Sequence, residues 1–306
     1  MGGVITGFIT VGAVIGLGAL LAHVGFFTES AGAFLSRLAF FVGSPALLLT
    51  TIANTPVAEV FSRHLLATLA GVLATGMAYV LVNRLFWHRR AGEEVIGALA
   101  TSYVNAGNLG LPIAAYVLGN VSYAAPTLLL QLLVLQPSAL GLLDADRTGR
   151  PPRLLHLLRS ALTNPLTLGA LGGLALSLGG WQLPTFLASP IQLVAGVAVP
   201  AMLLAYGIAL RLGPKLGGGV DSRELATTTA LKSIGQPLVA TAAAVALGLS
   251  GPALLAVAVM SALPTAQNIY VIAARYDRAT TLARDTILLT TGLSVPVIVI
   301  IALLLG

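Results

Sequence analysis

The chain has 306 residues, of which 57% are hydrophobic and 8% are charged, and its mean hydropathy is +0.95. Apolar stretches of about 20 residues, the length needed to cross a bilayer, recur along it, so the composition excludes a soluble globular domain. The absence of cysteine also excludes disulfides and thiolate chemistry.

The apolar stretches predict ten transmembrane helices, with short connections except at residues 144–160. No basic residue precedes the first stretch, and further spans follow it, so we interpret it as a helix and not as a cleaved signal. The predicted spans are Val4–Ala22, Ala33–Ile52, Leu65–Trp87, Glu94–Leu118, Tyr123–Leu143, Ala161–Leu178, Thr185–Leu210, Leu225–Leu249, Pro252–Arg275 and Thr281–Leu305.

Basic residues are distributed unevenly between the predicted connections. If the N-terminus is outside, the cytoplasmic side receives 14 of the 16 Lys and Arg residues, and only Arg63 and Lys232 fall elsewhere. The positive-inside rule therefore predicts a cell (inner) membrane protein with both termini outside. In this interpretation the basic residues of the long connection set the orientation of the protein in the membrane, and we expect no nucleic-acid partner. They are Arg147, Arg150, Arg153 and Arg159.

Polar residues interrupt the middle of the fourth and ninth predicted spans. Span 4 contains Asn105-Ala-Gly-Asn-Leu-Gly-Leu-Pro112, and span 9 contains Leu263-Pro-Thr-Ala-Gln-Asn-Ile269. Glycine weakens a helix and proline removes a backbone N–H, so we expect the backbone to open there. Open backbone at membrane depth survives where it is buried in protein or lines a watery cavity, which is typical of transporter sites. For one span alone, a simple proline kink is the alternative.

Sequence matches between the two halves indicate a duplicated five-helix unit, because their offsets of 157, 155 and 160 residues are nearly constant. Since five is odd, the second copy crosses the membrane in the opposite sense. The predicted fold is an all-α polytopic membrane protein with a 5+5 inverted repeat, in which broken helices 4 and 9 cross near the midplane. The matches are Thr10–Ala13 with Thr167–Ala170, Val42–Leu48 with Val197–Leu203, and Asn108 with Asn268.

The predicted crossing offers neutral hydrogen-bonding groups to a solute. The N-termini of half-helices also carry partial positive charge, and their C-termini present carbonyls. For each amide, a hydrogen bond between helices is the alternative. The residues predicted to bind solute at the crossing are Asn105, Asn108, Thr265, Gln267 and Asn268, with Gly107 helping to open the backbone.

Lys232 is a cationic residue about two turns into span 8, within Lys232-Ser-Ile-Gly-Gln-Pro237. One interpretation, which we favour from the sequence, is that its side chain snorkels to the cytoplasmic surface. The other is that it is a fixed charge partner for an anionic solute or for freed carbonyls.

Residues for proton transfer and catalysis are missing from the predicted spans. All Asp, Glu and His residues lie in connections or at span ends, so we expect no buried proton carrier, whereas Na⁺ held by carbonyls, amides and hydroxyls remains open. We expect no enzyme activity, no metal site and no cofactor, because no ligand cluster, catalytic pair or phosphate loop is present. A channel remains an alternative, since a pore can also use amides and open backbone.

Several motifs resemble the auxin efflux carrier family, which includes bacterial carriers and the plant PIN exporters. They are Asn105–Pro112 in span 4, Ser261–Asp277 in span 9, Leu231–Pro237 in span 8, Pro45–Pro56 in span 2 and Gln131–Gln136 in span 5. The resemblance covers essentially the whole chain and implies a ten-helix fold similar to that of the bile acid/sodium symporters.

The resemblance also implies two domains with different roles. Residues 1–60 and 161–215 would form a scaffold domain of helices 1, 2, 6 and 7. Residues 61–160 and 216–306 would form a transport domain of helices 3–5 and 8–10. Transport would be elevator-like, in a homodimer surrounded by membrane lipids.

Three family positions carry over onto this sequence. The crossover of span 4 falls on Val104-Asn105, the crossover proline of span 9 on Pro264, and a glutamine that contacts the substrate on Gln136. Val104 replaces a proline, and Leu48 replaces a serine of the plant members, so auxin is not the expected substrate. We predict a secondary transporter for a small organic anion such as a carboxylate. A sodium-coupled organic anion symporter of the bile-acid-carrier type is the alternative.

Overall fold

The computed structural model describes residues 2–56, 63–149, 162–212 and 219–306. Lys215 and the arginines 150, 153 and 159 of the long basic connection lie outside these ranges. The α-helices are α1 (Gly2–His23), α2 (Glu29–Leu38), α3 (Ser44–Ala53), α4 (Arg63–Val82), α5 (Ala91–Ser102), α6 (Leu111–Tyr116), α7 (Ala125–Leu130), α8 (Gln136–Thr148), α9 (Pro165–Gly179), α10 (Thr185–Ala195), α11 (Ala198–Leu212), α12 (Ser222–Ala230), α13 (Gln236–Ala246), α14 (Gly251–Ser261), α15 (Asn268–Tyr276) and α16 (Thr280–Leu305).

Several helical stretches are long and apolar enough to cross a membrane. Within the described ranges these are Glu29–Ala53, Arg63–Trp87, Val121–Thr148, Thr185–Leu212 and Thr280–Leu305. Shorter apolar helices occupy Ile9–His23, Pro165–Gly179 and Gly251–Ser261. The described part of the chain is therefore all-helical, with several helices long and apolar enough to cross a membrane, and the ten-span arrangement stays a prediction.

Several prolines in these helices are preceded by a π-turn. A proline lacks an N–H and its ring crowds the carbonyl four residues earlier, so the turn before it widens into a π-turn. Four described π-turns end two residues before a proline, and each of them leads directly into an α-helix. These turns are Ala39–Gly43 before Pro45, Ala106–Gly110 before Pro112, Gln131–Leu135 before Pro137 and Leu231–Gly235 before Pro237.

The backbone opens in both interrupted spans, but in span 4 it opens earlier than the glycines and proline suggested. Helix α5 ends at Ser102, and helical structure resumes at Ala106. Gly107 and Pro112 therefore lie within helical turns, because proline is tolerated in the first turn of a helix. In span 9, α14 ends at Ser261 and α15 begins at Asn268.

The chain folds into two compact units, each built from three separate stretches of sequence. The first comprises Met1–Ser62, Gly107–Leu132 and Leu162–Pro214, and the second comprises Arg63–Ala106, Leu133–Ala161 and Lys215–Gly306. Compactness by itself does not identify which parts of a molecule move together. The scaffold and transport domains predicted from the family resemblance therefore stay predictions.

Glycines bring helices close together in the first unit. Helix α1 packs on α11, and α3 packs on α9. A side chain at Gly18 would collide with the backbone of Leu204, and one at Gly169 would collide with the backbone of Pro45. Small residues at these crossings allow backbone-to-backbone approach, which is how helices associate in membranes.

In the second unit, α4 packs on both α13 and α5. Gly71 of α4 lies against Ala240 of α13, where a side chain would again collide. At one end of this unit the buried carboxylate of Glu224 accepts hydrogen bonds from Tyr79 (2.8 Å) and Arg89 (2.8 Å). A carboxylate paired in this way is a structural group, because both of its oxygens have donors.

Candidate functional site

The two opened segments of the second unit pair with each other. Val104 and Thr265 form an isolated antiparallel β-bridge. The backbone N–H of Asn105 donates to the Pro264 carbonyl at 2.8 Å, and the N–H of Ala266 donates to the Tyr103 carbonyl at 3.1 Å. The interruptions predicted in spans 4 and 9 thus meet as a short two-stranded element, which satisfies four backbone groups that neither helix could satisfy alone.

Helix α5 ends with carbonyls that have lost their helical donors. The N–H of Ala106 bonds to the Val104 carbonyl (2.8 Å) instead of that of Ser102. The side-chain amide of Gln236 donates to the Ser102 carbonyl at 2.9 Å, and the Thr265 hydroxyl donates to the Ala100 carbonyl at 2.6 Å. Residues of α13 and of the second opened segment therefore terminate α5, in the way that capping groups do.

Helix α14 ends in a similar way. The N–H of Thr265, which would continue the helix by bonding to Ser261, donates to the Thr290 hydroxyl of α16 at 3.1 Å. The Ser261 carbonyl accepts from the Lys232 ammonium at 3.2 Å. The same ammonium donates to the Gln236 side-chain oxygen at 2.7 Å.

The snorkelling interpretation of Lys232 is wrong. Its side chain is 0% exposed, and its nitrogen lies between Gln236 and the end of α14. The side chain points inward because two oxygen acceptors lie there, one of them a carbonyl freed by the helix break. The Lys232 nitrogen therefore donates to a freed carbonyl, and its role as a charge partner stays a prediction.

Three of the predicted solute-binding amides, Gln136, Gln267 and Asn268, are only partly buried in the second unit. The Tyr103 hydroxyl donates to the Gln136 side-chain oxygen at 3.1 Å and has a further hydrogen bond with the Asn268 side chain. Asn268 is also the first residue of α15, where the helix end carries partial positive charge. Amides, a phenol and a helix N-terminus thus lie together beside the opened backbone.

The remaining predicted residues fall into two groups. Asn105 is 3% exposed and Thr265 is 0% exposed, so both are enclosed within the paired segments beside Val104 and Pro264. Gly107 and Asn108 belong to the first unit, where both are partly buried.

Sequence reasoning missed three residues that hold the opened segments. Tyr103 was not considered, and Gln236 was noted only within a family motif. Thr290 was not predicted because intramembrane hydroxyls usually bond to their own helix, which it also does through the Thr286 carbonyl at 2.7 Å. A usable signal was the polar character of Gln236, since an amide deep in a span needs partners.

Metal-binding chemistry is not visible in the described ranges. No group of three His, Asp or Glu side chains lies close enough to hold a metal ion in that part of the chain. The polar groups beside the opened backbone are neutral apart from Lys232. They can bind a solute by hydrogen bonds and by the helix dipole.

Comparisons with known proteins agree with this picture. A model of the family described as "Membrane transport protein" matches residues 4–140 and 136–302, which is nearly the whole chain. A protein of Rhizobium meliloti (strain 1021) named "Putative malonate transporter" is 27% identical over 290 residues, covering 92% of this chain and 89% of its own. Together with the apolar helices, the family match indicates a multi-pass membrane protein with a role in transport and not in catalysis.

Proposed function

The chain belongs to the membrane transport protein family that includes the auxin efflux carriers, and we propose that it is a secondary carrier for a small organic anion. The observation that carries the proposal is the pairing of two opened membrane segments next to partly buried amides. Broken helices of this kind build substrate sites in secondary transporters, because they present helix ends and backbone groups at membrane depth.

The proposed binding position of the anion in the second unit is the N-terminal end of α15. Gln267 and Asn268 flank that end, and Gln136 lies beside it through Tyr103. A carboxylate there would receive amide N–H donors and the positive end of the helix dipole. Asn105 is proposed to shape the site from the paired segments, and Thr265 to hold α5 in place. A solute contact of Asn108 is proposed only from the position of this residue in the sequence.

The size and charge of the solute are proposed from chemistry and from the related protein. Neutral amides without a bidentate arginine suit a small anion that must be released after each crossing. The name of the Rhizobium meliloti relative contains malonate. We therefore propose dicarboxylates of malonate size as the first solutes to test.

Helix packing supports the proposed 5+5 inverted repeat. The repeat exchanges span 1 with span 6 and span 2 with span 7. The packing of α1 on α11 (spans 1 and 7) then corresponds to the packing of α3 on α9 (spans 2 and 6), and both pairs are in contact. From the family resemblance and the distribution of basic residues we propose elevator-type alternating access, in a homodimer of the inner membrane with both termini outside.

A thermal-shift screen of organic acids on the purified protein tests the proposed site. We expect malonate or a similar dicarboxylate to raise the melting temperature, because a ligand that binds only the folded protein stabilises it. Gln136→Ala and Asn268→Ala should each remove most of that shift. Gln182→Ala, at an exposed position of the first unit, is the matched control and should keep it. Stabilisation that survives both site variants would contradict the assignment.

A further inference from the structure

Tyr103 is held in place at its backbone and at its ring. Its carbonyl accepts the N–H of Ala266 at 3.1 Å in the pairing of the opened segments. Its side chain is 4% exposed and belongs to a hydrophobic core cluster that also contains Leu140 and Ile269. The hydroxyl of an enclosed tyrosine has a fixed position, so it also fixes the groups that are hydrogen-bonded to it.

The hydroxyl of Tyr103 has hydrogen bonds with two of the predicted solute-binding amides. It donates its one hydrogen to the side-chain oxygen of Gln136 at 3.1 Å. It has a second hydrogen bond with the Asn268 side chain. Because a phenol has only one hydrogen, its oxygen is the acceptor of the second bond and the NH₂ group of Asn268 is the donor. The two amides therefore turn opposite ends toward the same hydroxyl.

The groups that remain for a solute differ between the two amides. Gln136 uses its oxygen on Tyr103 and keeps its NH₂ group, whereas Asn268 uses one N–H and keeps its side-chain oxygen and the other N–H. Both side chains are only partly buried, so a solute can reach them. The site thus presents donors at Gln136 and an acceptor at Asn268.

This arrangement suits an anion that carries a hydrogen-bond donor of its own. A carboxylate has only acceptor oxygens, so it fits the NH₂ group of Gln136 but not the oxygen of Asn268. An anion with two bare carboxylates would leave that oxygen unpaired, which weakens binding. A second group that is a protonated carboxyl, a hydroxyl or an amide would donate to it.

We propose that Tyr103 determines the specificity of the site by turning Gln136 and Asn268 in opposite senses, so the carrier selects a small carboxylate that also carries a hydrogen-bond donor. The singly protonated form of malonate is one such anion. The inference rests on the proposed carrier function and names the class of its solute. Tyr103 is a positioning residue in this scheme, because it acts through the two amides.

The first test compares two anions of similar size and equal charge on the wild-type protein. Malonamate has a carboxylate and an amide whose NH₂ group donates, whereas monomethyl malonate has a carboxylate and an ester without a donor. We expect thermal-shift titrations in detergent to give malonamate a dissociation constant about tenfold lower, because the ester leaves the oxygen of Asn268 unpaired. Equal dissociation constants, or tighter binding of the ester, would overturn the proposal.

The second test removes the hydroxyl that orients the amides. Tyr103→Phe keeps the ring, and each amide is then free to present either end to the solute. We expect the preference for malonamate to fall to about twofold or less while both anions still bind. A Tyr103→Phe protein that keeps the full preference would refute the role of Tyr103.

Tyr276→Phe is the matched control for the second test. Tyr276 belongs to the same core cluster, is 9% exposed and donates to Asp144 at 2.7 Å, so this variant also loses a hydrogen bond of an enclosed hydroxyl. It should keep the preference for malonamate, and an equal loss in both variants would count against the proposal. If Tyr103→Phe cannot be purified, the comparison of the two anions on the wild type decides.

The outcomes separate this inference from the carrier function. If neither malonate nor any other organic acid stabilises the protein or enters proteoliposomes that contain it, the carrier function is contradicted. If malonate is taken up but the wild type binds malonamate and monomethyl malonate equally, the carrier function stands and the selection through Tyr103 is refuted.

Discussion

The two helix breaks of the second unit look alike but have different origins. The segment after α14 contains Pro264, which cannot donate to the carbonyl four residues before it. The segment after α5 contains no proline, and Val104, a β-branched residue, stands at its centre. The second break is therefore favoured by its own sequence, whereas the first depends on partners from elsewhere.

Other prolines of the chain show that proline alone does not open a membrane helix. Pro137 and Pro237 each follow a π-turn, and helix continues through both. Only one backbone bond is lost at such a proline, and a wider turn accommodates it. A full opening requires partners for several carbonyls at once. In this molecule, Thr265, Gln236 and Lys232 supply them.

The largest expected effect comes from removing the residue that serves both breaks. Gln236→Leu deletes the donor to Ser102 and one of the two recorded acceptors of Lys232, which leaves a buried charge and a buried carbonyl undersatisfied. We expect a loss of about 3–5 kcal/mol in stability. Thermal unfolding in detergent measures it.

Gln192→Leu is the matched control, because Gln192 is an exposed glutamine of α10. It should change the melting temperature little. Equal stability of the two variants would mean that Gln236 does not hold the helix ends.

The second effect concerns the hydroxyl that links the two breaks. Thr265→Val keeps the shape of the side chain but removes the 2.6 Å hydrogen bond to the Ala100 carbonyl. We expect a loss of about 1–3 kcal/mol, since the carbonyl stays buried. The melting temperature is the readout.

Thr127→Val makes the same change where a buried hydroxyl has no hydrogen-bond partner in the part of the chain that the structure describes. The Thr127→Val variant should be as stable as the wild type or more stable. If Thr265→Val lowered the melting temperature no more than Thr127→Val does, the hydrogen bond to Ala100 would contribute nothing to stability.

A smaller effect tests the local origin of the second break. Pro264→Ala restores an N–H and gives the unfolded chain more freedom, so we expect a loss of about 0.5–1 kcal/mol in thermal unfolding experiments. Pro190→Ala should act in the opposite direction, because Pro190 lies inside helix α10. Stabilisation by both substitutions would argue that Pro264 does not favour the open segment.

The smallest effect comes from giving the first break a proline of its own. Tyr103 has φ −92° and ψ 105°, an extended conformation that suits the residue before a proline. We expect Val104→Pro to destabilise the protein less than a proline inside α5, because residue 104 lies outside the helix. Val95→Pro, within helix α5, should instead destabilise strongly, by about 3 kcal/mol. Equal melting temperatures for the two variants would contradict an open backbone at Val104.

Much of the site was visible in the sequence because it follows from local chemistry. The polar interruptions placed the openings within a few residues, and Gln267 and Asn268 were solute-binding candidates from their residue types. Gln136 was a candidate only through the family resemblance. The exact start of the first opening was not, because Gly107 and Pro112 favour a break but fit helical turns once neighbours hold Tyr103 and Val104 extended.

The sequence by itself determined what acts over one turn or one span: apolar length, the charge bias of the connections, Pro264 and the family motifs. Only the tertiary structure decided which groups complete the opened helices. Lys232 reaches a carbonyl 29 residues away, Gln236 one 134 residues away and Thr265 one 165 residues away. Opened carbonyls in a membrane must find donors, and whichever donor the fold brings near will bind, at a sequence distance that no local pattern encodes.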